Sequence, residues 1–576
     1  MEIDTIRHSL SHILAYAVQN LYPKVKFGIG PAIENGFYYD FDNLKISDAD
    51  LPKIEKKMKE LIKKDLKFIK KKISKKEAKE IFKNQPYKLE LINELAETGS
   101  LSIYQVGEFV DLCKGPHIKS TQEINSDSFK LTKTAGAYWK GDEKNPMLTR
   151  IYGNAFKTKK ELEEFLKIQE EAEKRDHRIL GKKLDLFTFS DLVGKGLPLF
   201  TEKGSIIRRE LENFIIDEEI KRGYKHVYTP ELARVELYKK SGHYPYYKDA
   251  MYPIMKVDKE ELILRPMTCP HHFQLYADKL RSYKELPFKI AELAKQFRYE
   301  KSGELTGLIR ARIFCLADAH IICQKNQAFD ELNNVLDLIE YVASVLGLKV
   351  GENYHYRLSL GDKKNEKKYY KDDKAWDFAE DVLKKVLKKR KSPFVEVKGE
   401  AAFYGPKIDI QVKNFAGKED TAFTVQYDFV SPKRFNLSFI NEKGGKEEPI
   451  VIHRSSIGAI ERTMAFLIEH YSGALPLWLS PVQILIIPVG SRHKKYAQKI
   501  KKELISFRTE VKDENETVSK KIRQGEIQKI PYILVVGDKE MKEKSVRARK
   551  RGKGDMGIIK LDKFIKRIKI EIDNKK

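Results

Sequence analysis

Apolar residues recur at helical spacing in IRHSLSHILAYAVQNL (6–21), where Ile13, Leu14, Ala17, Val18 and Leu21 fall on one face. His8 and His12 are four apart and share a face too. The same spacing predicts a second amphipathic helix over 53–82, with Ile54, Met58, Leu61, Ile62, Leu66 and Ile69 inward. Alternating, turn-rich sequence then runs to about residue 155. KTKKELEEFLKIQEEAEKRDHRIL (157–180) surrounds a thin apolar stripe (Leu162, Phe165, Leu166) with charge and reads as a helical connector. From about 181 to 479, strand-like and helix-like pieces alternate. After LSPVQ the pattern becomes regular: strand QILIIPVG (483–490), helix HKKYAQKIKKELISF (493–507), strand TEVKD (509–513), helix TVSKKIRQGEIQK (517–529) and strand PYILVVGD (531–538). That succession predicts a small α/β domain, closing in the basic segment KSVRARKRGKG (544–554). Four parts are expected: 1–155, a connector over 156–180, 181–479, and 480–576.

A chain of 576 residues is too long for one core, which agrees with several domains. No run of 18 apolar residues could span a membrane, and MEIDTIRHSL lacks the basic-then-apolar order of a secretory signal, so a cytoplasmic protein without a membrane partner is expected. Four cysteines (Cys113, Cys269, Cys315, Cys323) are too few for a disulfide framework; any with a special role is expected to serve metal or catalysis. The net charge of +26 favours a polyanionic partner such as nucleic acid, although lysine-rich helix surfaces alone would give the same excess.

Several short stretches carry candidate chemistry. RPMTCPHH (265–272) places Cys269, His271 and His272 within four positions: a metal site, one corner of a larger one, or an accident. HSLSH (8–12) and DLCKGPH (111–117) each hold a pair of N/S ligands at a spacing of four. Zinc is one reading of that set; a hydrolytic pocket in which His, Cys and Asp111 activate water is another. In FRYE (297–300), Arg298 and Glu300 are expected on one side of a strand, with a turn near Thr306 and Gly307 returning a second strand that presents Arg310 and Arg312. Two strands offering guanidinium groups to one cleft suit a polyphosphate. HRSSIGAIERTMAFLIEHY (453–471) starts a largely apolar helix in which Arg462 is expected to be buried, paired with an anion or with Glu461 or Glu469.

FRYE with its returning arginine strand, followed by GAIER (458–462), resembles the arrangement of class II aminoacyl-tRNA synthetases, and TPELARVELYKKSGHYPYY (229–247) looks like their first motif. RPMTCPHH, FYGPKID (403–409), TVQYDF (424–429) and VIHRSSIGAIER (451–462) together resemble the threonyl-tRNA synthetase family, and HSLSH with DLCKGPH resembles its editing domain. The likeness covers essentially the whole chain from residue 5 onward, in family order.

The resemblance implies an α/β and α+β multi-domain fold: an antiparallel-sheet class II catalytic core, an α+β editing domain and a C-terminal α/β anticodon-binding domain. It implies a homodimer that uses ATP with Mg²⁺ to activate L-threonine, transfers it to tRNA(Thr), and hydrolyses seryl-tRNA(Thr). It also implies one zinc ion per subunit, on Cys269, His320 and His453. Threonine and valine are nearly isosteric, and a metal that takes both the amino group and the hydroxyl separates them. Serine differs by one methyl, worth about 1–3 kcal/mol, so a second hydrolytic sieve is expected.

By the same resemblance Arg298 contacts the α-phosphate and the amino-acid carboxylate, Glu300 adenine, and Arg310 the γ-phosphate, while Phe314 and Arg462 sandwich adenine. Asp318, Tyr404, Lys407 and Gln426 line the threonine and adenylate pocket. His8, His12, Lys88, Asp111, Cys113 and His117 position water for editing without an obligatory metal. Arg547 and Arg549 meet the anticodon. Two departures stand out. The small domain that precedes the editing module in many members has no counterpart in this sequence, and FCLADAH (314–320) carries Leu316 where the family commonly has glutamine. Cys315, beside it, is expected to be a packed thiol.

Overall fold

The structure is a computed structural model that describes residues 2–95, 101–245, 247–415 and 417–576. It divides into two units, Met1–Glu170 and Glu171–Lys576. Tyr246, within the expected first motif, lies outside the described residues.

In the first unit the helix Ile3–Leu21 buries Leu10, Ile13, Leu14, Ala17 and Val18 against the helix Leu51–Ile62 and an antiparallel five-stranded sheet. The long helix expected over 53–82 does not form. Ile54, Met58, Leu61 and Ile62 are buried as expected, but the helix stops at Ile62 and Asp65 adopts a left-handed φ of 51°. Phe68–Ile73 is a strand paired antiparallel with Leu101–Val106, which leaves Leu66 half-buried and Ile69 exposed. FIKKKI fits a strand as well as a helix, and hydrogen bonding to a partner some thirty residues away decides between them. A helix resumes at Lys75–Ile81, where Ser74 and Glu77 form a capping box.

The second unit holds an eight-stranded sheet. In spatial order its strands are Lys225–His226, Phe288–Phe297, Ile313–Cys323, Ile450–Ala459, Glu419–Asp428, Lys407–Lys413, Tyr354–Leu360 and Phe394–Lys398, all antiparallel except the outermost pair at each edge. Strict alternation divides the faces. Cys315, Ala317, Ala319, Ile321, Ile408, Ile410, Phe423, Val425, Tyr427, Ile450 and Ile452 enter one core with the helices Ala328–Val345 and Ile460–His470. The opposite face is polar, and the register aligns it in rows. One row runs His320, His453, Gln426, Lys407, Ser359; the next runs Glu292, Asp318, Ser455, Thr424, Asp409, Arg357. Cys315 is thereby the packed thiol expected.

Two local expectations change. HRSSIGA is strand rather than helix; the helix begins at Ile460. Of FRYE only Phe297 lies in the strand, which ends there, with main-chain pairing carried one step further by Arg298 N–H to Arg312 O at 3.0 Å. Arg298 through Arg312 therefore form a loop, in which Thr306 and Arg310 make an isolated bridge.

The C-terminal part is a five-stranded sheet in the order Thr509–Val511, Ile484–Pro488, Tyr532–Val536, Ser545–Lys550, Gly554–Lys560. Its first three strands are parallel, with the helices Lys494–Glu503 and Val518–Ile527 in the crossovers. Among the described residues no helix is long and apolar enough to cross a membrane.

Candidate active sites

The polar face of the large sheet brings the expected metal ligands together. Cys269 opens the helix Cys269–Ala277, while His320 and His453 face each other on neighbouring strands. All three are buried, and their ligand atoms lie within 4.8 Å of one another. The hydrogen bonds fix the tautomers. Glu292 Oε2 accepts from His272 Nε2 at 3.2 Å, so His272 Nδ1 carries a lone pair, which takes the Nδ1 proton of His320 at 2.8 Å. His320 Nε2 is left as a buried acceptor with no partner. His453 Nε2 donates to Asp428 Oδ2 at 2.8 Å and leaves its Nδ1 free. A buried thiol and two imidazole lone pairs make a donor set that fits zinc. Burial holds the His320 imidazole well below its ordinary value, and so keeps it in the ligating, neutral form. Burial, with Asp318 and Asp428 nearby, pushes the Cys269 thiol up, so a metal must displace its proton.

The local RPMTCPHH cluster is therefore one corner of the set. His272 supports His320 from behind, and His271 lies beside the Tyr238 ring, outside the group.

Around this centre Tyr404 stacks on His453 with ring centroids 4.9 Å apart and donates to Gln426 Oε1 at 2.5 Å. Asp318 is buried, receives Gln296 Nε2 at 3.4 Å, and is pushed up chiefly by that burial. Lys407 is tied to Asp409 at 2.7 Å, and Asp409 also accepts from Ser359 and Arg357. Leu316 shares the face of Phe314, Asp318 and His320 but sits between Ala294 and Ala459, an apolar surround with no polar contact to offer.

The arginines converge at one end of the sheet. The Arg298 guanidinium lies 5.1 Å from the Phe314 ring centroid. Arg310 reaches Glu300 at 2.8 Å and Glu304 at 3.1 Å. Arg462 is exposed rather than buried, because the first turn of its helix opens onto the cleft; it donates to Ile309 O at 3.3 Å and Thr421 O at 3.1 Å. Glu461 and Glu469 are engaged elsewhere, by Arg208 and His177. Desolvation first, then the charge of Arg462, lowers Arg298. Desolvation by the cleft walls also lowers Arg462, with Arg310 adding to it. Among the described residues neither Arg298 nor Arg462 has a carboxylate within salt-bridge distance, so the cleft holds like charges that an anion would relieve.

In the first unit His8, His12, Cys113 and His117 gather with ligand atoms within 4.8 Å. His8 Nδ1 donates to Pro116 O at 3.2 Å. Ser9 Oγ donates to Thr5 O, so it accepts from His117 Nδ1 at 3.1 Å. Both Nε2 atoms are then acceptors, and both face Cys113 Sγ, at 3.4 and 3.3 Å. One thiol proton serves only one of them, which leaves a basic nitrogen for another proton. Burial lowers His8, His12 and His117 and raises Cys113 to about 11, so the group is neutral. Behind it Lys88 Nζ and Asp111 Oδ1 form a buried pair at 2.5 Å, and Tyr39 donates to Asp111 Oδ2 at 2.5 Å.

Residues 252–471 match the tRNA synthetase class II core domain (G, H, P, S and T), 483–571 an anticodon binding domain, and 101–152 the threonyl and alanyl tRNA synthetase second additional domain. Threonine–tRNA ligases of Geobacillus sp. (strain WCH70) and Staphylococcus carnosus are each 49% identical, over 99% and 100% of this chain and 89% of their own length. The chain belongs to the threonine–tRNA ligase family. A solved structure described as the RNA binding domain of threonyl-tRNA synthetase from Cryptosporidium parvum superposes with a TM-score of 0.65 at 33% identity, over 69% of this chain and 98% of that one. A putative threonyl-tRNA synthetase from Aeropyrum pernix gives 0.63 at 30% identity, over 69% and 97%.

Within this ligase-family chain Arg547 and Arg549 alternate outward on Ser545–Lys550, while Val546 and Ala548 enter the core. Arg547 bonds to Asp555 at 2.6 Å and Arg549 lies 3.8 Å from Glu526. Sequence reasoning missed the supporting residues Glu292, Asp409, Asp428 and Tyr39, and singled out His272 only as a possible ligand, not as the partner of His320. Strand alternation would have placed Asp409 and Asp428 on the polar face; no local signal marks the partners of His272 or Tyr39.

Proposed function

We propose that this chain is a threonine–tRNA ligase that activates L-threonine with ATP, transfers it to tRNA(Thr), and hydrolyses seryl-tRNA(Thr) in its first unit. The observation that carries this reading is the buried Cys269–His320–His453 set standing beside a cleft in which, among the described residues, Arg298 and Arg462 have no carboxylate within salt-bridge distance. Cys269, His320 and His453 would hold one zinc ion per subunit. When bound, zinc supplies a Lewis-acid centre able to take an amino group and a hydroxyl together, a pairing that valine lacks.

Arg298 and Arg310 hold the α- and γ-phosphates, and Mg²⁺ enters with ATP. Phe314 and Arg462 bracket adenine, with Glu300 at its edge. Asp318, Tyr404, Lys407 and Gln426 fix the threonyl moiety. The threonine carboxylate attacks the α-phosphorus and pyrophosphate leaves. Because that nucleophile is already an anion, no side chain need act as base, and catalysis rests on placement and charge neutralisation. The tRNA terminal hydroxyl then displaces AMP from the adenylate.

In editing, the unshared Nε2 of His8 or His117 accepts a proton from water as it attacks the seryl ester, the acyl–oxygen bond breaks, and that proton passes to the departing ribose oxygen of the tRNA, while Lys88, Asp111, His12 and Cys113 hold that geometry. Arg547 and Arg549 contact the anticodon arm. Domains at 1–155, 156–180, 181–479 and 480–576, a homodimer joined through 229–247, and a cytoplasmic location complete the proposal.

Threonine-dependent exchange of pyrophosphate into ATP tests it. Exchange with threonine but not valine, and loss of both zinc and exchange in Cys269→Ala, are expected. A zinc-loaded wild-type protein that exchanges nothing would refute the reading.

A further inference from the structure

One buried histidine outside both sites has both ring nitrogens committed. His177 follows Asp176, which caps the short helix His177–Lys183 by accepting from Arg178 N–H at 2.7 Å. Its ring is 1% exposed. Leu308 N–H donates to His177 Nε2 at 3.1 Å, so that nitrogen carries a lone pair and the ring proton sits on Nδ1. His177 Nδ1 donates to Glu469 Oε1 at 2.7 Å. Asp176, His177 and Glu469 are close enough together to suggest a metal site. They do not make one here, because neither ring nitrogen has an electron pair to spare.

The two partners belong to the two elements that present the cleft arginines. Leu308 lies in the turn that ends at Arg310, where Thr306 and Arg310 exchange main-chain hydrogen bonds of 3.2 Å in each direction. Glu469 lies two helical turns beyond Arg462 on Ile460–His470. The turn is pressed against the ring: a Cβ on Gly307, whose φ is 50°, would stand 2.2 Å from His177 Nε2. The side chain of Leu308 is itself buried, in the core that also holds Leu180.

We propose that His177 is a positioning residue: by clamping the Leu308 amide to Glu469 it locks the 306–310 turn to the helix of Arg462, and so sets the spacing at which Arg310 and Arg462 meet ATP. The clamp is a matter of local geometry; its catalytic consequence rests on the ligase reading above.

Asparagine and glutamine test whether both bonds are needed together. His177→Asn keeps a donor near the Nδ1 position and loses the acceptor for Leu308, whereas His177→Gln, whose terminal carbonyl oxygen and NH2 are separated by one carbon as the two ring nitrogens are, can accept from Leu308 N–H and donate to Glu469. In pyrophosphate exchange by the full chain, His177→Asn is expected to lower kcat/KM for ATP by on the order of 10- to 100-fold, with KM for threonine moving by less than about twofold. His177→Gln is expected to recover most of the loss. Hydrogen exchange read by mass spectrometry should show the 306–310 amides opening on the order of fivefold faster in His177→Asn than in wild type or His177→Gln.

Wild-type ATP kinetics in His177→Asn would overturn the proposal. So would equal losses in both variants, or ATP and threonine parameters moving together with a lowered Tm, the pattern of a merely structural residue. If the wild-type protein exchanges no pyrophosphate, the ligase reading fails by itself, and unchanged amide exchange in His177→Asn would still refute the clamp.

Discussion

Lys88 and Asp111 offer the sharpest energetic test of the first unit. Their side chains are 3% and 4% exposed, and Nζ lies 2.5 Å from Oδ1. At an effective dielectric constant of about 20, two unit charges at that distance attract by roughly 7 kcal/mol. Taking each ion out of water costs several kcal/mol, so the pair as a whole adds little net stability. Removing one partner is another matter, because the survivor stays buried without its counter-charge. Lys88→Met leaves Asp111 with Tyr39 and the Leu112 amide; Asp111→Asn leaves Lys88 with the Tyr39 hydroxyl at 3.1 Å. Each single change is expected to cost about 3–5 kcal/mol, and the double variant much less than the sum, giving a coupling of about 2–4 kcal/mol. Calorimetry of the full chain, following the transition that shifts in the single variants, measures the cycle. The same variants should lose seryl-tRNA hydrolysis by on the order of 100-fold or more, with pyrophosphate exchange unaffected. Additive costs, or single-variant losses below about 1 kcal/mol, would show that the pair is solvated and the reasoning wrong.

Three further outcomes follow from geometry already described. His272→Leu removes the acceptor that orients His320 and should weaken zinc affinity about 10- to 100-fold, read by competition with a chromophoric chelator; unchanged affinity would refute the supporting role. His8, His12 and His117 all lie below the ordinary histidine value of 6.5, so the unfolded chain takes up protons near that pH while the folded chain does not. Their contribution to stability is therefore complete above pH 6.5 and is lost as pH falls below it, by up to about 1.4 kcal/mol per pH unit for each; a flat profile between about 6.5 and 5.5 in urea unfolding would contradict this. Arg549→Ala should weaken tRNA binding and, if the contact is to phosphate, reduce the salt slope by about one unit; an unchanged affinity would remove Arg549 from the interface.

The sequence made the polar face legible wherever alternation is strict, as in KIDIQVK and TVQYD, and made the α/β end legible through its regular succession of buried strands. It failed where two periodicities coexist. FIKKKI satisfies helix and strand alike, and its partner Leu101–Val106 is remote in sequence. Arg462 looked buried because its neighbours are apolar, yet the surroundings of a side chain at a helix start depend on what lies across the cleft. His272 looked like a ligand or a bystander; its role depends on Glu292, which lies on the Phe288–Phe297 strand rather than on its own helix, and no local spacing carries that information.

The alternation of the Ile450–Ala459 strand has a consequence for how such a chain can change. His453 faces the ligand set, while Arg454, its neighbour, points through to Glu219 at 2.5 Å on the other side. A single-residue insertion or deletion upstream in that strand would exchange them, carrying a guanidinium into the metal pocket and an imidazole into the core. Length changes here are survivable only in pairs, so amino-acid choice and the folding of the interior are inherited together.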